Sequence, residues 1–237
     1  MLIFKPTEDT HQLMRPAQHT DRQLISSILD GTFPPGTLLP AERKLAQQFG
    51  VTRPTIREAL QRIAGEGWVT IRHGKATEVN DYWQTGGLGL LGTLVKHTDH
   101  LPDSLIFHLL DFRAIMLPPA ARYAVSRNPA PIQQHLEKRA ALADNAEAFT
   151  AYDWQLQVLF AKHSGNPVFS LLLNDFASVF SAMGQFYFDT VQGRAASAYF
   201  YETLERAIAE SAGSIEQVVS DAMAESIAIW NQIHSVT

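Results

Sequence analysis

The stretch from Leu39 to Val79 constrains this chain most, because two short helical patterns in it are joined by a turn that leaves them side by side. Leu45 and Ala46 lie on one side of the first pattern, with Phe49 just beyond it. Gly50 can take the positive φ that ends a helix. Thr52 is placed to cap the second pattern, and Pro54 suits its first turn, where no backbone donor is lost. Ile56, Ala59, Leu60 and Ile63 then repeat at helical spacing and leave Arg53, Thr55, Arg57 and Gln61 on the outer face. Trp68–Ile71 reads as a strand, His73-Gly74-Lys75 as a turn and Ala76–Val79 as the returning strand. The pattern is a helix-turn-helix followed by a basic wing, in which the second helix carries the side chains that read DNA. The rival reading is a small α+β bundle with solvated arginines. The agreement of turn residues and exposed basic residues along the whole segment disfavours it.

Charge becomes informative only when divided. The 237 residues sum to −5, but residues 1–80 carry +2 and residues 81–237 carry −7. Within Leu39–Lys75, seven basic residues face three acidic ones, so positive charge gathers where phosphates would lie. The absence of cysteine excludes disulfides, a thiol nucleophile and a thiolate metal site. Neither a basic-then-apolar leader nor a run of roughly twenty apolar residues occurs, so a cytoplasmic protein with no membrane association is expected.

Residues 1–17 show no period and read as a mobile arm. Thr20–Asp30 is amphipathic through Leu24, Ile25, Ile28 and Leu29, and Gly31–Gly36, with Pro34 and Pro35, stops it. The expected architecture is an α+β winged helix-turn-helix domain over 1–80, a linker over 81–87 and an all-α seven-helix bundle over 88–237. The seven candidate helices are Leu88–Thr98, Pro102–Ser126, Ala130–Ala143, Ala146–His163, Pro167–Thr190, Arg194–Glu210 and Ile215–Ser235. Pro118 and Pro119 are expected to kink or break the second. Asn166-Pro167 marks a helix start after the Ser164-Gly165 break. Gly86-Gly87 is a flexible point, while Tyr82 and Trp83 suggest that the linker packs against something.

Leu39-Pro40-Ala41-Glu42-Arg43, Val51-Thr52-Arg53-Pro54-Thr55 and Arg57-Glu58-Ala59-Leu60 resemble the winged-helix domain of the GntR superfamily of bacterial transcription regulators. Gly67-Trp68-Val69-Thr70-Ile71, His73-Gly74-Lys75, Ser164-Gly165-Asn166-Pro167 and Ile229-Trp230 extend the resemblance over nearly the whole chain, to the FadR branch. That resemblance implies a homodimer that binds a palindromic double-stranded DNA operator. It implies repression of fatty-acid degradation genes, activation of unsaturated fatty-acid synthesis genes, and release from DNA by long-chain fatty acyl-CoA as effector, with no cofactor. It places Arg43 and Arg53 at guanine edges, for which two parallel donors suit a guanidinium. Thr52, Thr55 and Arg57 fall near phosphates, and His73, with Gly74 and Lys75, at the wing tip in the minor groove. The plain alternative for His73 is a solvated turn residue. Pro54 departs from the threonine of the best-known pattern in this branch and has no hydroxyl to offer the polar DNA contact that the resemblance implies there.

Many relatives in this branch hold a metal with one aspartate and three histidines and sense small carboxylates. Asp153 matches the aspartate, but Gln157, Tyr201 and Ser226 stand where the histidines would be, so no metal site is expected. His97, His100 and His108 are the nearest histidine group, and their spacing is not that of a ligand pair. By resemblance, Arg113, Tyr201, Ser226 and Trp230 line the acyl-CoA site. Ser220 and Met223 depart from an arginine and a glycine that lie against CoA. Phe107, Leu110, Leu156, Phe160, Phe169, Leu172, Phe176 and Phe180 are candidates to wall an acyl tunnel, or to be ordinary core. A regulator sensing another metabolite, such as a small carboxylate, is the nearer alternative. An enzyme is the more distant one, since no catalytic residue set, Gly-x-Ser-x-Gly elbow or acid–base pair is present.

Overall fold

The structure, a computed structural model, describes residues 16–87, 89–94, 103–210 and 214–235. They fall into two compact units, one within Leu2–Leu101 and one within Pro102–Thr237. Residues 1–15 of the expected arm, with His97 and His100, lie outside the described residues.

In the first unit α1 spans Pro16–Leu29, α2 Glu42–Gln48 and α3 Arg53–Gly65. Leu24, Ile25 and Ile28 of α1 bury their apolar stripe with Ile56, Ala59, Leu60 and Ile63 of α3. Gly50 takes φ +66°, the left-handed backbone the tight turn demands. The Thr52 hydroxyl accepts from the Thr55 amide as the cap of α3, and Pro54 sits in its first turn. Asp21 and Arg62 tie α1 to α3 through two hydrogen bonds.

The wing ladder is shorter than its sequence pattern. β1 is Val69–Thr70 and β2 is Glu78–Val79, paired antiparallel with Val69 opposite Val79. The entry segment, expected only to turn the chain, pairs with β2 as well. Leu38 bridges Glu78, and the Val79 amide donates to the Thr37 carbonyl. A short α4 (Tyr82–Thr85) occupies the expected linker, and α5 covers Gly89–Leu94. Tyr82 packs its ring 4.9 Å from that of the fully buried Trp68. Thr93 and the Trp68 indole both donate to the Glu66 carboxylate.

The second unit is helical: α6 Asp103–Arg127, α7 Ala130–Glu137 with a 3-10 turn at Lys138–Ala141, α8 Ala146–His163, α9 Pro167–Asp189, α10 Val191–Glu210 and α11 Ile215–Ser235. Of the kink or break expected at Pro118 and Pro119, the break does not occur, and α6 runs through both. Leu117, Ala120, Ala121 and Ala124 bury that part of the helix, so packing outweighs the lost backbone donors. A bend of 68° lies in α9, between its halves Pro167–Ala177 and Val179–Asp189. Gly193 starts α10 against the preceding turn, where a Cβ would sit 2.4 Å from the Tyr187 carbonyl oxygen. Asn166 caps α9, as its sequence suggests. Among the described residues, no single helix is long and apolar enough to cross a membrane.

His135 of α7 stacks on Tyr152 of α8, with 4.1 Å between ring centroids, and its Nε2 lies 3.0 Å from the Tyr152 carbonyl. Burial lowers its pKa from the ordinary 6.5, and Lys138 adds to the lowering. The folded chain therefore binds this proton less readily than the unfolded one. The stability contributed by neutral His135 is complete above 6.5 and falls away as the pH drops through the lower folded value. Melting temperature across that window should fall less steeply in His135→Gln than in the parent protein. Parallel curves would show that another group sets the slope.

Candidate functional site

Two surfaces carry chemistry, one in each unit. In the first unit, the cap of α3 fixes where its opening side chains point. Thr52 and Thr55 hydroxyls lie 2.9 Å apart, with Arg53 exposed between them. Arg57 donates from Nε and Nη2 to the two oxygens of Glu42, at 3.1 and 2.7 Å, which ties the start of α2 to α3. Two of its five donors are thereby committed. The side chains of Arg43 and Arg53 make no hydrogen bond or ion pair among the described residues, and both are exposed. They differ from Arg57 in being free guanidinium groups. His73, Gly74 and Lys75 form the exposed wing tip, with Gly74 at φ +70°. Arg72, beside the tip, pairs with Glu78 at 3.4 Å.

A free guanidinium at the head of the reading helix can make the bidentate base contact. One clamped to a carboxylate is suited to the backbone. Arg53→Ala is accordingly expected to weaken specific DNA binding by about 1–3 kcal/mol and relax preference at one guanine. Gel-shift titrations on selected and random duplexes check this, and equal losses on both would reduce Arg53 to a positioning role.

In the second unit, α6, α8, α9, α10 and α11 enclose a cavity of about 550 Å³. Its wall is mainly apolar, with Ile106, Leu110, Leu173, Phe176, Val179 and Phe180 among its members. Such a volume lies inside the range of roughly 300–1,000 Å³ typical of small-molecule sites. Of the four expected ligand residues, Arg113, Ser226 and Trp230 line it, and Tyr201 does not. Tyr201 is buried behind Asp153 and donates its hydroxyl to Asp153 Oδ1 at 3.0 Å. Of the expected tunnel residues, Leu110, Phe176 and Phe180 line the cavity. Leu156 and Phe160 are core instead, and Phe169 and Leu172 pack against that core.

Asp153 is the polar centre of the wall. Its Oδ2 accepts from Gln157 Nε2 at 2.6 Å and from Arg113 Nη2 at 3.3 Å. Burial, and then the charge of Asp153, raise the Tyr201 pKa well above the ordinary 10, so the phenol keeps its proton and donates. Burial likewise pushes Tyr187 up to about 12. The groups around the carboxylate are thus donors, one of them cationic, and they do not fit a metal ion. Among the described residues no group of three His, Asp or Glu could hold one. Ser226 donates within its own helix, to the Met223 carbonyl at 2.8 Å.

Among the described residues, two polar atoms on the wall are buried without a partner: Arg113 Nε and Thr203 Oγ1. An unmade hydrogen bond of this kind costs about 1–3 kcal/mol, which a ligand carbonyl could offset. Arg113 also lies 5.5 Å from the Phe180 ring centre. Thr203 was not evident from the resemblance. Its signal was periodicity, since Ala196, Tyr199, Phe200 and Thr203 share one face of α10 at helical spacing. The departure at Met223 lies in the cavity wall. Ser220 lies in a separate depression beside Pro118 and Pro119.

Residues 16–79 match the model of the bacterial regulatory proteins of the gntR family, and residues 80–236 match the FadR C-terminal domain. The chain belongs to the GntR family, in its FadR branch. A fatty acid metabolism regulator protein of Shewanella pealeana is 41% identical over 192 residues, covering 81% of this chain and 80% of that one. One from Yersinia enterocolitica is 39% identical, and the match covers 92% of each chain. Among solved structures, one titled for Lar, described as controlling expression of the Listeria monocytogenes agr system, has a TM-score of 0.61 at 18% identity. It covers 92% of this chain and 98% of its own, a likeness of fold. This GntR-family chain is therefore a FadR-like transcription regulator with a winged helix-turn-helix for DNA.

Proposed function

We propose that this regulator binds a palindromic DNA operator as a homodimer in the cytoplasm and is released from it by long-chain fatty acyl-CoA. Its targets are genes of fatty-acid metabolism, with repression of degradation and activation of unsaturated fatty-acid synthesis. The free cations of Arg43, Arg53 and Lys75 support the DNA side of the reading, and the names of the relatives support the metabolic side. The observation that carries the effector class is the cavity. It is long in apolar wall, about 550 Å³ in volume, and bears an unpaired guanidinium donor that a thioester carbonyl would satisfy. A small carboxylate would leave most of that wall uncovered. No catalytic function is assigned to the chain.

The effector must bind the DNA-free form better than the DNA-bound form, or no release follows. Linkage makes the effect reciprocal, and a coupling of about 1–3 kcal/mol suffices for an inducible switch. Calorimetry of oleoyl-CoA with and without a palindromic duplex selected by the protein itself tests this. Affinity should fall by roughly 5- to 150-fold when the duplex is saturating. Equal affinities would leave a DNA-binding protein with a different effector.

A further inference from the structure

The mouth of the cavity has a charge that its proposed ligand does not match. Exposed residues among the lining mark where the cavity opens. They are Phe112 of α6, Tyr199 of α10, and Asp221 and Glu225 of α11. Two of these four are carboxylates, and none is a cation. Among the described residues, Arg113 is the one Lys or Arg in the lining, and Asp153 holds it inside the wall. Two of the enclosing helices, α9 and α11, contain no Lys or Arg at all. After Arg206 the sequence carries Glu210, Glu216, Asp221 and Glu225 and no further Lys or Arg. The cations of α10 are already engaged: Arg194 with Asp144 and two backbone carbonyls, Arg206 with Glu202.

Phosphate groups are held by arginine and lysine donors or by backbone amides at a helix start. Among the described residues, the mouth offers neither a free cation nor a helix N-terminus: Tyr199, Asp221 and Glu225 all lie well inside their helices. We propose that this cavity recognises only the acyl chain and its thioester, and that the acidic mouth disfavours the nucleotide phosphates of a CoA ester. The inference rests on the acyl-thioester reading given above and narrows it. Specificity then lies in chain and carbonyl, and the nucleotide is tolerated in solvent against a repulsive field. A neutral thioester should bind at least as tightly as the CoA ester. Salt should act with unusual sign, tightening the CoA ester by screening the repulsion.

Calorimetry on the full chain compares oleoyl-CoA with the oleoyl thioester of N-acetylcysteamine, which is uncharged, at low and high sodium chloride. The expected result is equal or tighter binding of the neutral thioester. Oleoyl-CoA alone should gain roughly two- to fivefold in affinity at high salt, the scale of an exposed charge pair. Glu225→Lys, on an exposed helix position, should tighten oleoyl-CoA by roughly fivefold and affect the neutral thioester less. Binding of oleoyl-CoA that is much tighter than the neutral thioester and weakens with salt overturns this inference and leaves the acyl-CoA reading standing. Binding of neither ligand overturns both.

Discussion

Asp153→Ala is expected to lower the stability of the helical unit by about 3–5 kcal/mol, the cost of removing one partner from a buried charge pair. The carboxylate receives three donors, from Tyr201, Gln157 and Arg113, and its side chain is 5% exposed. Alanine would strand the Arg113 guanidinium, whose Nε already lacks a partner, and take its carboxylate acceptor from the buried Tyr201 hydroxyl. Denaturant unfolding of the full chain, followed by circular dichroism, gives the change. Asp153→Asn should lie between parent and alanine, because one amide oxygen can still accept while its NH2 opposes the other donors. A loss below about 1 kcal/mol would mean that the donors find other acceptors.

Trp68→Ala is expected to cost about 3–5 kcal/mol in the winged-helix unit, as large aromatic truncations in a core do. Trp68 is fully buried, its amide donates to the Ile63 carbonyl, and its ring meets Tyr82 of α4. The substitution would open a cavity below the wing and release the contact that seats α4. Thermal melts and proteolysis near residues 82–87 should report both effects. Trp68→Phe should retain much of the stability. A stable alanine variant with an unchanged cleavage pattern would show that the packing is not held through this ring.

Much of the first unit was legible because its signals are local. A cap at Thr52, a left-handed Gly50 and a helical stripe from Ile56 to Ile63 act within a few residues of one another. The pairing of Thr37 and Leu38 with β2 was not legible, since it joins segments about forty residues apart in sequence and leaves no mark on either. That α6 stays unbroken at Pro118 and Pro119 was not legible for a related reason. Their local penalty is real, but the buried alanine face of α6 outweighs it, and that face depends on partners from α8 and α11. The cavity divides in the same way. Resemblance singled out Arg113, Ser226 and Trp230, which line it, whereas whether Tyr201 touches the cavity or stands behind Asp153 is decided by helix rotation.

The clamp between Glu42 and Arg57 bears on how quickly DNA is captured. It crosses from one helix of the reading pair to the other, so the pair is ordered before any duplex arrives. Little conformational search then remains at the moment of encounter. Arrival is governed by diffusion and by the local field of the unclamped arginines. Ionic strength would show itself first in the association rate, and the lifetime of the complex would respond to the base contacts proposed for Arg43 and Arg53.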